Sequence, residues 1–491
     1  MKEETLSSWK LPLLFVLLAL VIGSAIGVFV VELDKPIIIL VGLVALIAFI
    51  VTISSVEFGL LFLVFITYTR FSDVVVQVHN APSVAKSFIA VLIIAIFIRW
   101  ALFNETPTGW QMPALLIGIY GLIGFASLLY AQDSGVVIQT LDNFVKDVLI
   151  TLVVVVILKR ASLFRNVIWS LLAAGIFMGT LSVFQYITKS FDNIYWGFSV
   201  AKYMQITSGS PNDYRLVGPV GDPNFYAQVM VVLVPLALER LLHEKRMPLK
   251  ILAGWALIAS LLTVTFTFSR GGFLALIVSL IIFFIIYPPR PRELLVSIGI
   301  GITLLFFIPT SYFDRITSLQ DLIPSESGQV NLRVDRAIQG RASENLTGLL
   351  MIQENPLLGV GLSNFPSRYQ EYTKQIGLAP SLSARSPHNL YLEVAAETGI
   401  LGLSAFMLMI WFAIRSIITT RKIFLENKQI EYANLVTGFA VGFAGYLLAA
   451  IFVHAAYPRY FYLLIGIAYS LPFTVRQMRN NLSYESNIGQ V

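Results

Sequence analysis

The chain has 491 residues, 57% of them hydrophobic and 13% charged, with a formal net charge of +6 and no cysteine. A soluble domain carries about 25% charged residues, so this composition leaves too few polar side chains to cover a water-facing surface and excludes a soluble globular protein. The lack of cysteine excludes disulfides, thiolate catalysis and Cys-ligated metals. The basic balance says little about nucleic acid, because Lys and Arg in an apolar chain mainly report orientation in a membrane.

The apolar residues fall in runs of roughly 15–22, the length that crosses a hydrocarbon core about 30 Å thick. The pattern predicts an all-α polytopic membrane protein of about 12–14 transmembrane helices. Candidate spans begin near Leu11, Pro36, Phe58, Val84, Pro113, Phe144 and Val167. Others begin near Phe225, Ile251, Phe273, Leu294, Gly399, Ala433 and Phe461. Leu11 to Val31 is too long for a signal-peptide core and lacks a clear cleavage site, so it counts as a span. Phe58 to Thr67 is the shortest of the set.

Basic residues recur in alternate connections. Lys159, Arg160 and Arg165 lie in one, Arg240, Lys245, Arg246 and Lys250 in the next, and Arg290 and Arg292 in a third. Arg415, Arg421, Lys422 and Lys428, then Arg476 and Arg479, complete the series. All fall on one side, which makes that side and both termini cytoplasmic. The expected organisation is then helices over 1–310, with an outer loop at about 188–223. An extracytoplasmic cap follows at 311–397, then C-terminal helices over 398–475 and a cytoplasmic tail at 476–491. The cap reads as structured: Ser343 to Glu354 suits a helix, Asn355-Pro356 stops it, and GVGLSNF at Gly359 to Phe365 supplies turns.

Three outward-facing stretches carry candidate chemistry. In RLVGPVGDPNFYAQ (Arg215 to Gln228), Asp222 suits an N-cap and Pro223 a first helical position, which leaves Arg215 as an anion contact or a lipid-headgroup contact. In FSRGGFLAL (Phe268 to Leu276) the glycines suit a tight turn, and Arg270 sits at the membrane boundary. Its burial there would cost up to about 3 kcal/mol without a partner, and snorkelling to lipid phosphate is the competing reading. In RSPHNLYLEVAAETGILG (Arg385 to Gly402), Ser386-Pro387 reads as a helix start, with His388 in the first turn and Asn389, Glu393 and Glu397 along one stripe. Helices entering the membrane from outside point their N-termini outward, with unsatisfied N–H groups and partial positive charge. If the starts near Phe225, Phe273 and Pro387 converge with Arg215, Arg270 and Arg385, they form a phosphate-binding site. His388 among such cations stays neutral and suits a general base.

The stretches GDPNFYAQ, FSRGG, ENPLLGVGLSNF and PHNLYLEVAAETGILG, in this order from about Arg215 to Gly402, resemble the signature segments of the O-antigen ligase and polymerase superfamily. The resemblance implies a GT-C-like helical fold in the bacterial inner membrane, with an active site on the extracytoplasmic face. It implies a glycosyltransferase that moves a glycan from undecaprenyl diphosphate to a lipid A-core, glycan or other hydroxyl acceptor, with no cofactor and no obligatory metal. By position it implies His388 as the catalytic residue, either base or leaving-group partner, and Arg215 and Arg270 as diphosphate binders. Arg341, Arg385 and Asn389 are weaker candidates. Polymerisation of lipid-linked repeats for O-antigen, capsule or exopolysaccharide is the alternative. A polysaccharide transporter or lipid flippase is the reading from another class, disfavoured because the informative charges cluster at one face rather than at mid-membrane. His79, His454 and Arg459 read as interfacial, His243 as cytoplasmic, and Lys146 with Asp147 as a mutually neutralising pair.

Overall fold

A computed structural model describes residues 47, 50–52, 55–203, 214–288, 336–376, 385–453 and 459–488. The helices α1 (Val56–Tyr68), α2 (Phe71–His79), α3 (Val84–Phe103), α4 (Gln111–Ala126), α5 (Ser134–Ile157) and α6 (Ala161–Ile187) come first. A hairpin of β1 (Ala201–Tyr203) and β2 (Tyr214–Leu216) follows, then α7 (Pro223–His243), α8 (Met247–Phe266) and α9 (Arg270–Ile286). α10 (Arg336–Glu354) and α11 (Phe365–Ile376) precede α12 (Leu390–Glu426), α13 (Ile430–Ala449) and α14 (Arg459–Ile488). The chain is an all-α polytopic membrane protein.

Among the described residues seven helices are long and apolar enough to cross a membrane, or eight where α1 and α2, bent by 54° at Thr69 and Arg70, count as one span. The expected spans at Leu11 and Leu294, and nearly all of that at Pro36, lie outside the described residues. α5 starts at Ser134, well before the expected Phe144, because Asp133 caps it: its carboxylate accepts from Val136 N at 3.1 Å. Hydropathy alone misses this start, since the first turns of α5 carry Gln139, Asp142 and Asn143.

α7 is the central helix, with every residue from Tyr226 to Arg240 buried. It packs against α8, α9 and α13. Lipid gives helices no hydrophobic drive to associate, so small residues that let backbones approach carry such contacts. Gly442 does so here: a Cβ on it would come within 2.5 Å of the Val232 carbonyl oxygen. Pro235 is accommodated inside α7, where neighbouring helices surround it.

The two ends of the bundle differ in chemistry. At one end Arg240 bonds Glu239 at 2.7 Å with both side chains 1% exposed, Arg165 meets Glu431 at 3.2 Å, and Arg160 pairs with Glu57. This is the end that the Lys and Arg bias assigns to the cytoplasm. The other end gathers the starts of α7, α9, α12 and α14.

Candidate active site

Arg215 lies on β2, opposite Lys202 of β1. Phe191, just past α6, stacks on the neighbouring Tyr214 at 4.1 Å and seats the hairpin on the bundle. The Arg215 residue is 7% exposed; its Nε donates to the Thr267 carbonyl at 2.7 Å and its Nη2 to Asn224 Oδ1 at 3.2 Å. Asn224 belongs to the first turn of α7, where Asp222 caps the helix by accepting from Asn224 N and Phe225 N at 2.8 and 2.9 Å.

Thr267 belongs to the turn that delivers Arg270. Phe268 turns the chain with a left-handed φ of 51°, and Ser269 caps α9 by accepting from Gly272 N at 3.2 Å. Arg270 is the first residue of α9 and is half-buried. The glycines after it are required by contact: a Cβ on Gly271 would strike the Phe452 side chain, and one on Gly272 would come within 2.5 Å of Ala227 Cβ. The FSRGG segment therefore presses the start of α9 against α7. Arg215 on β2 is thus bonded to the turn that leads into Arg270, beside the starts of α7 and α9.

His388 is placed differently from expectation. Asn389, not Ser386, is the N-cap: its side chain accepts from Tyr391 N and Leu392 N at 3.0 and 3.1 Å, so α12 starts at Leu390 and His388 precedes it. His388 Nδ1 lies 2.7 Å from Glu344 Oε2, and Arg385 Nη1 lies 3.4 Å from Glu344 Oε1. Glu344 comes from α10 and its side chain is 2% exposed. Arg385 crosses α10 at Gly340, where a Cβ would come within 2.6 Å of its Nη1. Arg341 lies on α10 between Gly340 and Glu344 and is half-buried. A carboxylate at Nδ1 holds the imidazole plane and favours the tautomer with the proton on Nδ1.

Of the acids on the expected stripe, Glu397 serves the fold. Glu397 is buried, and its carboxylate accepts from Ser363 N at 2.8 Å and Phe365 N at 3.3 Å, at the start of α11. Just beyond it Gly399 breaks α12 with φ 64° and ψ −168°. The carbonyls freed there are taken by the GVGL segment: Val360 N donates to Ala396 O and Gly361 N to Glu397 O, both at 2.9 Å. Ile400 N in turn donates to Pro356 O at 2.9 Å. Asn364 ties the same segment to the start of α5, accepting from Asp133 N at 2.7 Å. The two glycine-rich motifs thus clasp each other.

The two halves of the site meet at the end of α13. Tyr391 Oη donates to the Leu447 carbonyl at 2.9 Å, Gln228 Nε2 donates to the Tyr446 carbonyl at 3.1 Å, and Phe452 lies against Gly271. The starts of α7, α9 and α12 are therefore neighbours at one end of the bundle.

Residues 255–407 match the family model described as O-antigen ligase. Over that stretch, about a third of its length, the chain is similar to the O-antigen ligase family. The match takes in Arg270, Glu344, Arg385 and His388, while Arg215 lies ahead of it. No curated protein matches the chain.

Sequence reasoning missed two groups. Glu344 stands 44 positions from His388, and one acid among several on a polar helix gives no signal of its partner. Arg459 was read as interfacial, yet its Nε donates to Asp147 Oδ1 at 3.1 Å and its Nη1 to Asp73 Oδ1 at 3.2 Å. Arg70 completes this network, donating to Asp73 at 2.9 Å and to the Val220 carbonyl at 3.3 Å. The expected Lys146–Asp147 pair does not form: Lys146 pairs with Asp142 one turn earlier, because adjacent residues point to different sides of a helix. His79 bonds the Trp196 carbonyl at 3.1 Å, His243 bonds Glu239 at the opposite end of α7, and His454 lies outside the described residues. Among the described residues no group of three or more His, Cys, Asp or Glu is placed to hold a metal ion.

Proposed function

We propose that this end of the bundle transfers a glycan from undecaprenyl diphosphate to an acceptor hydroxyl, on the extracytoplasmic face of the bacterial inner membrane. The observation that carries the reading is that Arg215, bonded to the turn that delivers Arg270, lies at the same end of the bundle as a carboxylate-braced histidine, with the end of α13 between them. Arg215 and Arg270 bind the donor diphosphate, helped by the positive end of α9. The acceptor oxygen attacks the anomeric carbon, and the bond from that carbon to the diphosphate oxygen breaks. The electron pair goes to the diphosphate, where the fixed guanidinium groups and helix dipole stabilise the growing charge before any solvent reorganises. The acceptor proton goes to His388 Nε2, with Glu344 holding the ring in place and balancing the imidazolium that forms. The lipid diphosphate is already a good leaving group, so the sugar needs no further activation.

Arg385 holds Glu344 from the side away from His388, and Asn389 sets where α12 begins. Both are positioning residues on this reading. The test is transfer by the purified protein from an undecaprenyl diphosphate glycan, offered lipid A-core and lipid-linked repeats as acceptors. Release of the lipid diphosphate in step with acceptor glycosylation is expected, and none from the corresponding monophosphate donor. Equal use of the monophosphate would remove the role given to the paired arginines.

A further inference from the structure

A recess of about 380 Å³ opens at the same end of the bundle, between α2, α3, α5 and the start of α14. Its lining mixes the polar Arg459, Lys146, Lys86 and Asp73 with the apolar Ile89 and Leu149. The charges beneath the recess cancel among themselves, since Arg70 and Arg459 are matched by Asp73 and Asp147. Lys86 and Lys146 both line the recess and both act on Asp142, to which Lys146 is paired, so two lysines share that one acid and leave one net positive charge. Gln77, Asn143 and Ser83 add amide and hydroxyl groups around that charge. Val76, Leu149 and Val145 beside it are apolar and 39%, 36% and 55% exposed. Lysines, amides and apolar side chains in one recess, beside exposed apolar side chains, match an amphiphile lying in the membrane with its headgroup at the interface.

We propose that this recess is a second lipid site, binding the head of an amphiphile that carries phosphate and several hydroxyls. One net charge suits one phosphate, and the amides suit the hydroxyls. The site is separate from the Arg215–Arg270 turn but braced against it. Arg70 bonds the Val220 carbonyl just ahead of α7, and Tyr460 packs edge-on against Phe225 with ring centroids 5.6 Å apart. This placement fits the anchor of the glycan acceptor, an assignment that rests on the transfer reading above; binding itself does not.

The test uses the full-length protein in phosphatidylcholine nanodiscs doped with phosphatidylinositol or phosphatidylglycerol, with bound lipid measured by native mass spectrometry. Both dopants carry one negative charge, and phosphatidylinositol adds ring hydroxyls. Retention of phosphatidylinositol above phosphatidylglycerol, and of both above phosphatidylcholine, is expected. Lys86→Gln with Lys146→Gln should lower phosphatidylinositol retention at least about tenfold, the loss of roughly one charge contact per lysine. Lys374→Gln, an exposed lysine on α11 away from both sites, should leave it unchanged. The lysine variants leave the Arg459 network in place, and their thermal transition checks that they fold. Equal retention of the two dopants would reduce the recess to a bulk phospholipid contact and overturn the proposal. Unchanged retention in the lysine double variant would overturn it as well. In the transfer assay the same double variant should raise the acceptor KM and leave the donor KM alone. Failure of transfer in every protein would sink the transfer reading while the binding result still decides this one.

Discussion

At the scale of single residues, the contact of 2.7 Å between Glu344 and His388 Nδ1 sets the strongest expectation. Glu344→Gln keeps the volume and offers the ring an amide in place of a charge, so the imidazole loses its fixed tautomer and the balance for its charged form. The expected outcome is a fall in kcat of about a hundredfold to ten-thousandfold with donor KM little changed. Glu344→Asp, which keeps the charge on a shorter arm, should recover part of the loss. Wild-type kcat in Glu344→Gln would show that the carboxylate only fastens α10 to the loop before α12. Arg215, Arg270, His388 and Asn389 were legible because each stands beside a helix-start signal in a polar interval. The start itself was misplaced from Ser386-Pro387, since Ser-Pro and Asn are both good cap sequences. The two N–H groups accepted by Asn389 Oδ1 are what settle it. Glu344 was not legible because its meaning comes wholly from the fold.

At the scale of elements, the glycine-rich motifs turn out to be joints. Gly399 has φ 64°, and a Cβ there would strike the Leu357 carbonyl; Gly359 has φ 68°, and a Cβ there would strike the backbone of Glu397. Each allows one backbone to lie directly on another, with hydrogen bonds from Val360 and Gly361 filling the break in α12. Gly399→Ala combines left-handed strain with a backbone clash, so it should destabilise the protein by about 1–3 kcal/mol or more. A thermal unfolding series in detergent checks this, and a transition equal to wild type would contradict the clasp. Apolar periodicity located most of the described spans because a membrane helix must be apolar over its lipid-facing length. It misplaced the start of α5 because a polar first turn carries no such signal. It likewise set Lys146 with Asp147, where helical geometry pairs Lys146 with Asp142.

At the scale of the molecule, three helix starts and two arginines gather at the end opposite the Arg240–Glu239 network. The Lys and Arg bias assigns this end to the outside, and the absence of native cysteine makes that directly testable. A cysteine introduced at Ser386 should react with a membrane-impermeant maleimide added to intact spheroplasts. Reaction only after the cytoplasmic face is opened would invert the topology and move the site to the other side of the membrane. The central claim is that Arg270 and His388 act on one lipid diphosphate donor, and single-turnover transfer from purified undecaprenyl diphosphate glycan tests it most directly. Arg270→Ala is expected to slow transfer about a hundredfold to a thousandfold, and His388→Ala about a hundredfold to ten-thousandfold, with both proteins folded. Transfer at the wild-type rate in either variant would contradict the account.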